Sequence, residues 1–173
     1  MIVDLERAQA YLPEEVPVEN LQEKLKALEG LIRAYTNNRF QERRVRAEVS
    51  SAGGKLEWDT PYLKTGDTVE IGESLNEGIY TVEEIQDGFI LLDRPLYDLD
   101  HNLVTKIVYP ADVQEGVLNL LKWEYTMRDK VGIKAETLSR HSVTYYDQDA
   151  GNQVMGYPAS LMGFLSPYIK ARF

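Results

Sequence analysis

The spacing of apolar positions changes period twice along the chain. At the N-terminus, Asp4 can cap a helix over Leu5 to Leu12 that Pro13 stops, and "EEVPVEN" follows as a linker. From Val18 onward, Leu21, Leu25, Leu28, Ile32 and Tyr35 recur at alternating steps of four and three. That spacing lines them up along one stripe of a long helix. The helix ends near "TNNRF", where Asn37 or Asn38 can take the left-handed conformation that closes a last turn.

The period then shortens to two. Between Val45 and Val108, "RVRAEVS", "KLEWD", "LKTGDTVEI", "GIYTVEEI", "FILLD" and "LVTKIVY" read as short strands separated by turns. Asp87-Gly88 between two such runs is a hairpin signal, since a tight turn there needs a positive φ. So many short strands fit a small antiparallel barrel, in which closure removes the exposed edges.

Helical spacing resumes after Pro110. Asp112 and Glu115 have capping-box spacing, and Val113, Val117, Leu120, Leu121 and Tyr125 form a stripe widened by Trp123 and Met127. This second long helix is expected to run to about Asp129. "KVGIKAE" then reads as a loop, "HSVTYY" alternates like one strand, and "DQDAGNQ" is turn-rich. Pro158 opens a last helix carrying Leu161, Met162, Phe164 and Leu165, which Pro167 interrupts. The expected fold is therefore α+β: mainly a helical bundle from residues 1–44 and 109–173, with a small SH3-like antiparallel β-barrel inserted at 45–108. The two long stripes should pack together because neither can be buried alone.

Composition narrows the chemistry. The 173 residues carry no cysteine, which excludes disulfides, thiolate nucleophiles and Cys-based metal sites. Asp4, Glu6 and Arg7 stand where a signal peptide would be apolar, and no run approaches the roughly 18 apolar residues of a membrane helix, so a soluble protein that stays in its cell is expected. With 28 acidic and 19 basic residues the net charge is -9, the wrong sign for a protein that grips phosphates. Two local exceptions, "RFQERRVR" from Arg39 to Arg46 and "KAR" from Lys170 to Arg172, read as solvated charges at element ends.

Candidate catalytic and metal groups are thin. Ser139, His141 and Ser142 in "ETLSRHSVTYY" lack a nucleophile elbow, and in a strand Ser142 points away from the other two. Asp98, Asp100 and Asn102 begin like a calcium loop, and Asp147 and Asp149 repeat part of it. Both lack the sixth-position glycine and the distal glutamate. The two histidines, His101 and His141, have no metal-binding spacing. No enzyme and no cofactor are expected. Tyr145, Tyr146, Tyr157 and Tyr168 crowd the last thirty residues, and tyrosine favours contact surfaces.

Two runs carry a family likeness. Gly132, Ile133, Glu136, Leu138, Ser142, Val143 and Tyr145 match "G-I-x-x-E-x-L/I-x-x-x-S-V-x-Y", and Leu165, Pro167 and Tyr168 match "L-x-P-Y". With the helix order around them, they make the chain resemble, over nearly its whole length, the head-tail connector (adaptor, head-completion) proteins of tailed bacteriophages, in the YqbG-like prophage branch. The resemblance implies a structural virion protein at the head-tail junction, assembled in the host cytoplasm. Copies would form a ring, usually of twelve, under the portal, extend the DNA channel without holding DNA tightly, and receive a tail-side completion protein. Ring or portal contacts are then expected at Lys130, Glu136, Arg140, Ser142, Tyr145, Tyr157, Tyr168, Lys170 and Arg172. A competing reading makes the barrel a module for a peptide or nucleic acid, using the Arg39 to Arg46 cluster with Trp58, Tyr62 and Tyr80.

Overall fold

The computed structural model describes residues 1–13, 15–127, 135–138, 141–144 and 153–172, with backbone alone at 135–138 and 141–144. Helix α1, Leu5–Tyr11, starts where the Asp4 carboxylate accepts a hydrogen bond from the Arg7 amide at 2.7 Å. Its Ala8 is fully buried, and the small side chain lets α1 lie against both long helices. Helix α2, Val18–Thr36, buries Leu21, Leu25, Leu28 and Ile32 on one stripe. It stops at Asn37, whose φ of 48° is left-handed.

Six strands follow: β1 Gln41–Ala52, β2 Lys55–Leu56, β3 Thr68–Gly72, β4 Gly78–Gln86, β5 Phe89–Leu92 and β6 Leu99–Ile107. They close into a barrel in the order β1-β2-β5-β4-β3-β6, with every pairing antiparallel. Gly88, at φ 78°, makes the tight turn between β4 and β5, where a Cβ would be strained. Leu56, Val69, Ile71, Val82, Ile90 and Val104 fill the interior at 0–1% exposure. Each such side chain contributes about 1.5–3 kcal/mol by leaving water.

Helix α3, Ala111–Met127, buries Val113, Val117, Leu120 and Leu121. The C-terminal end of its stripe comes out of the core, with Tyr125 40% and Met127 43% exposed. Two short hairpins come next in the chain: β7 Ala135–Leu138 with β8 His141–Thr144, and β9 Gln153–Val154 with β10 Tyr157–Pro158. Helix α4, Ala159–Met162, runs into a 3-10 segment, Gly163–Tyr168, that contains Pro167. A 3-10 turn tolerates Pro167 where a continuous α-helix would lose a backbone hydrogen bond.

Burial divides into two clusters. One lies inside the barrel; the other joins α1, α2, α3 and the C-terminal segment with Phe40 and Ile107 at the barrel's end. This corrects the expectation of a mainly helical bundle. Strand accounts for nearly as much of the chain as helix, and the six-stranded antiparallel sheet is a principal layer. The helical weight was overestimated because the last expected helix shrinks to one α turn and a six-residue 3-10 segment, and the strand share was underestimated because Ala135–Leu138, whose first two residues belong to an expected loop, forms a strand. The capping box also fails: Asp112 lies inside the first turn of α3, where its carboxylate accepts the Tyr168 hydroxyl at 2.7 Å.

Candidate functional site

Where α2 hands over to β1, the chain concentrates charge. Glu70 on β3 accepts from Arg33 at 2.8 Å with one oxygen and from the Gln41 amide at 2.8 Å with the other. The Gln41 side-chain oxygen takes a bond from Arg46 at 3.0 Å, and Arg46 Nε donates to the Thr105 hydroxyl at 2.9 Å. Arg39 stands 3.5 Å from the same Glu70 oxygen. Arg33 and Glu70 have only 12% of their side chains exposed, so this pair is much less screened than a surface pair. Three arginines are thus locked into the joint between helix and barrel.

Phe40 sits at the centre of that joint with a φ of 52°, a conformation costing a non-glycine residue on the order of 1–3 kcal/mol. Its ring lies 5.0 Å from that of Tyr109 and 5.9 Å from that of Tyr168, and its carbonyl accepts the Val108 amide at 2.9 Å. Beneath it, the Tyr109 hydroxyl donates to Glu29 Oε1 at 2.7 Å in a buried pair. Burial first, and the Glu29 carboxylate second, push the Tyr109 phenol far above its usual range.

The residues after Glu42 leave the ladder. Glu42 faces Lys106 and Arg46 faces Thr105, so Arg43, Arg44 and Val45 have no partner on β6 and form a wide bulge. The Glu42 carboxylate accepts the Arg44 amide at 3.2 Å and holds the bulge in shape. Arg43 and Arg44 are exposed, and among the described residues neither has an ion-pair partner. Beside them, the C-terminal segment after Tyr168 crosses the end of α2. The Lys170 amide donates to the Thr36 carbonyl at 2.8 Å, Asn37 Nδ2 to the Ala171 carbonyl at 2.8 Å, and Arg172 to the Ala34 carbonyl at 2.8 Å. These bonds occupy carbonyls that a helix end otherwise leaves to water. An open cavity of about 360 Å³ separates the bulge from Lys170, with Phe40, Val108, Pro110 and Tyr168 on its floor.

The expected contact residues scatter. Lys170 and Arg172 are exposed on this basic face, and Tyr168 is half-buried there. Tyr157 lies in the core: it is 5% exposed, its ring 5.5 Å from that of Trp123. Glu136 and Ser142 lie on the β7–β8 hairpin, opposite Val143 and Thr137. Lys130, Arg140 and Tyr145 fall outside the described residues, as do Ser139, Asp147 and Asp149. In the calcium-like run, Asn102 turns away from the exposed Asp98 and Asp100 and is fully buried. There it bonds Ser51, Ser74 and Asn76 at 3.0, 2.9 and 3.0 Å. His101 is exposed, with Nδ1 2.9 Å from Glu48. Among the described residues no group of three or more metal-ligating side chains converges, and no helix is long and apolar enough to cross a membrane.

Of the aromatics assigned to the competing module, Tyr62 is 65% exposed, but Tyr80 is buried with its hydroxyl on the Asn76 carbonyl at 2.8 Å. Within the Arg39 to Arg46 cluster, the sequence does not single out Arg43 and Arg44 as the pair that leaves the ladder. Their signal was four polar positions in a row, Gln41 to Arg44, which no strand with one buried face can satisfy without leaving its ladder. No protein-family model matches the chain, and no curated protein matches it.

Proposed function

We propose that the chain is a structural connector of tailed-phage heads: it docks on the portal, repeats around it as a ring, continues the DNA channel and receives a tail-side protein. The supporting observation is how the C-terminal motif residues are used. Leu165 is fully buried and the Tyr168 hydroxyl is held by Asp112, so this part of the motif is framework. The framework carries Lys170 and Arg172 onto an exposed basic face beside Arg43 and Arg44. A surface built from both ends of the fold, on which Arg43, Arg44, Lys170 and Arg172 have no ion-pair partner among the described residues, suits an acidic partner surface.

The test is electron microscopy of the protein mixed with its purified portal. An added ring is expected, and portals without one would overturn the proposal. Removing everything from Pro158 onward would be a poor control, since Met162 and Leu165 belong to the helical core. The informative variant is Lys170→Glu with Arg172→Glu, which should keep the unfolding midpoint and weaken portal binding about tenfold or more.

A further inference from the structure

We infer that copies of this chain associate head to tail through two charged surfaces on opposite walls of the barrel, the Arg43–Arg44 bulge of one copy receiving the β4–β5 hairpin of the next. The inference rests on the connector reading for the expectation of a ring; the contact itself is argued from charge and topology.

The donor surface is the hairpin. Beyond Thr81, β4 parts from β3 and continues paired with β5 alone. Val82 faces Leu92 and Glu84 faces Leu91, so Glu83 is squeezed out as a bulge. Glu83, Glu84 and Asp87 are all exposed, and among the described residues none has an ion-pair partner. Two large apolar side chains stand among them, Ile85 and Phe89, each 39% exposed. Acids surrounding exposed hydrophobes on a projecting hairpin make a poor solvent surface and a good plug.

The receiving surface has the opposite character. Arg43 lines the open cavity of about 360 Å³, whose mixed lining includes the apolar Phe40, Val108 and Pro110, with Val108 48% exposed, and Arg44 stands exposed next to it on the bulge. The acid in the cavity lining, Glu42, accepts the Arg44 amide. A phosphate backbone would use the rim and leave the floor wet. A hairpin tip offering carboxylates around Ile85 and Phe89 uses both.

Topology makes the contact intermolecular. In the ring β1-β2-β5-β4-β3-β6, strand β4 is three strands from β1 in either direction, so the bulge and hairpin face away from each other. One copy cannot join its own two surfaces. A second copy can, and the resulting contact is heterologous: it closes into a ring or runs on as a filament, depending on the rotation between copies. The charges face solvent, so association should weaken as salt shortens the Debye length from about 10 Å at 0.1 M to about 3 Å at 1 M.

Sedimentation velocity of the full chain over a concentration series, at low and high salt, tests this. Wild type should form salt-sensitive multimers. Arg43→Glu with Arg44→Glu, and separately Glu83→Arg with Glu84→Arg, should each weaken association about tenfold or more. The chain carrying all four changes should recover it, because the charges are exchanged and again complementary. Unchanged thermal unfolding would show that each variant folds. Wild type monomeric at every concentration and salt, or charge-reversed variants that associate like wild type, would overturn the inference. So would loss of duplex-DNA binding on reversing the arginines with no effect of the hairpin changes on association; that result would assign the bulge to nucleic acid. A chain that multimerises as described yet adds nothing to portals would sink the connector reading alone, and a ring on portals built by the charge-reversed variants would sink this contact alone.

Discussion

The Tyr109 hydroxyl and the Glu29 carboxylate meet inside the helical core, where neither has water to fall back on. The phenol's pKa is raised in the folded chain by burial and then by the Glu29 charge. A raised acid pKa means that the folded state holds the proton more tightly than the unfolded state does. The stabilisation is therefore complete below the unfolded phenol value of about 10 and is lost as pH climbs toward the folded value. Denaturant unfolding measured from pH 8 upward should show stability falling beyond about pH 10. Tyr109→Phe should make that fall shallower, because Tyr11, Tyr125 and Tyr168 are shifted in the same direction and remain. At neutral pH the same change should cost about 1–3 kcal/mol, since it leaves Glu29 buried without this donor. Asn102 makes a parallel case. Its side chain joins Ser51, Ser74 and Asn76 in a buried polar knot, so Asn102→Ala should lose about 1–3 kcal/mol. Added calcium should leave the unfolding midpoint where it is.

Between elements, α3 and the 3-10 segment approach closely at Gly116. A Cβ on Gly116 would lie 2.4 Å from the end of the Phe164 ring, so the glycine is what allows the aromatic edge onto the helix. Alanine is the better helix former by about 0.8–1 kcal/mol, while overpacking costs about 1–3 kcal/mol. The second effect is the larger, and Gly116→Ala should lower stability by about 1 kcal/mol. With Phe164→Ala already in place the sign should reverse, and adding Gly116→Ala should raise stability by about 0.8 kcal/mol. A double-mutant cycle by chemical denaturation reads both values. If Gly116→Ala cost the same in both backgrounds, the ring contact would not be its cause.

Across the molecule, the two apolar clusters are joined by specific bonds as well as by apolar contact. Arg33 reaches from α2 to Glu70 on β3, Lys26 lies 3.3 Å from Asp93, and Phe40 couples the helical core to the start of the barrel. Removing one member of a largely buried ion pair leaves the other unpaired, a loss of about 3–5 kcal/mol when burial is complete. Glu70 also holds Gln41 and Arg39, so Glu70→Ala should cost about 3 kcal/mol and loosen the joint more than either core. Calorimetry should then show a broadened or split transition where the unaltered chain unfolds in one. A single sharp transition in the variant would mean that apolar contact alone couples the layers.

Local chemistry was enough to read the helical stripes, the Asn37 stop, the Asp4 cap and the Asp87-Gly88 turn, because each depends on neighbours within a few residues. The balance of the fold was not legible in this way. How far the last helix runs, and how large a share the strands take, depends on pairings such as Ala135 with Thr144 and on Phe164 seating against Gly116. The site divides along the same line. The exposure of Lys170 and Arg172 could be read from charge and position alone, whereas the burial of Tyr157 follows from Trp123, far off in the chain. The projection of Arg43 and Arg44 follows from the register of β1 on β6. Residue type sets what a side chain can do; long-range register and packing decide which of those capacities face the core and which face a partner.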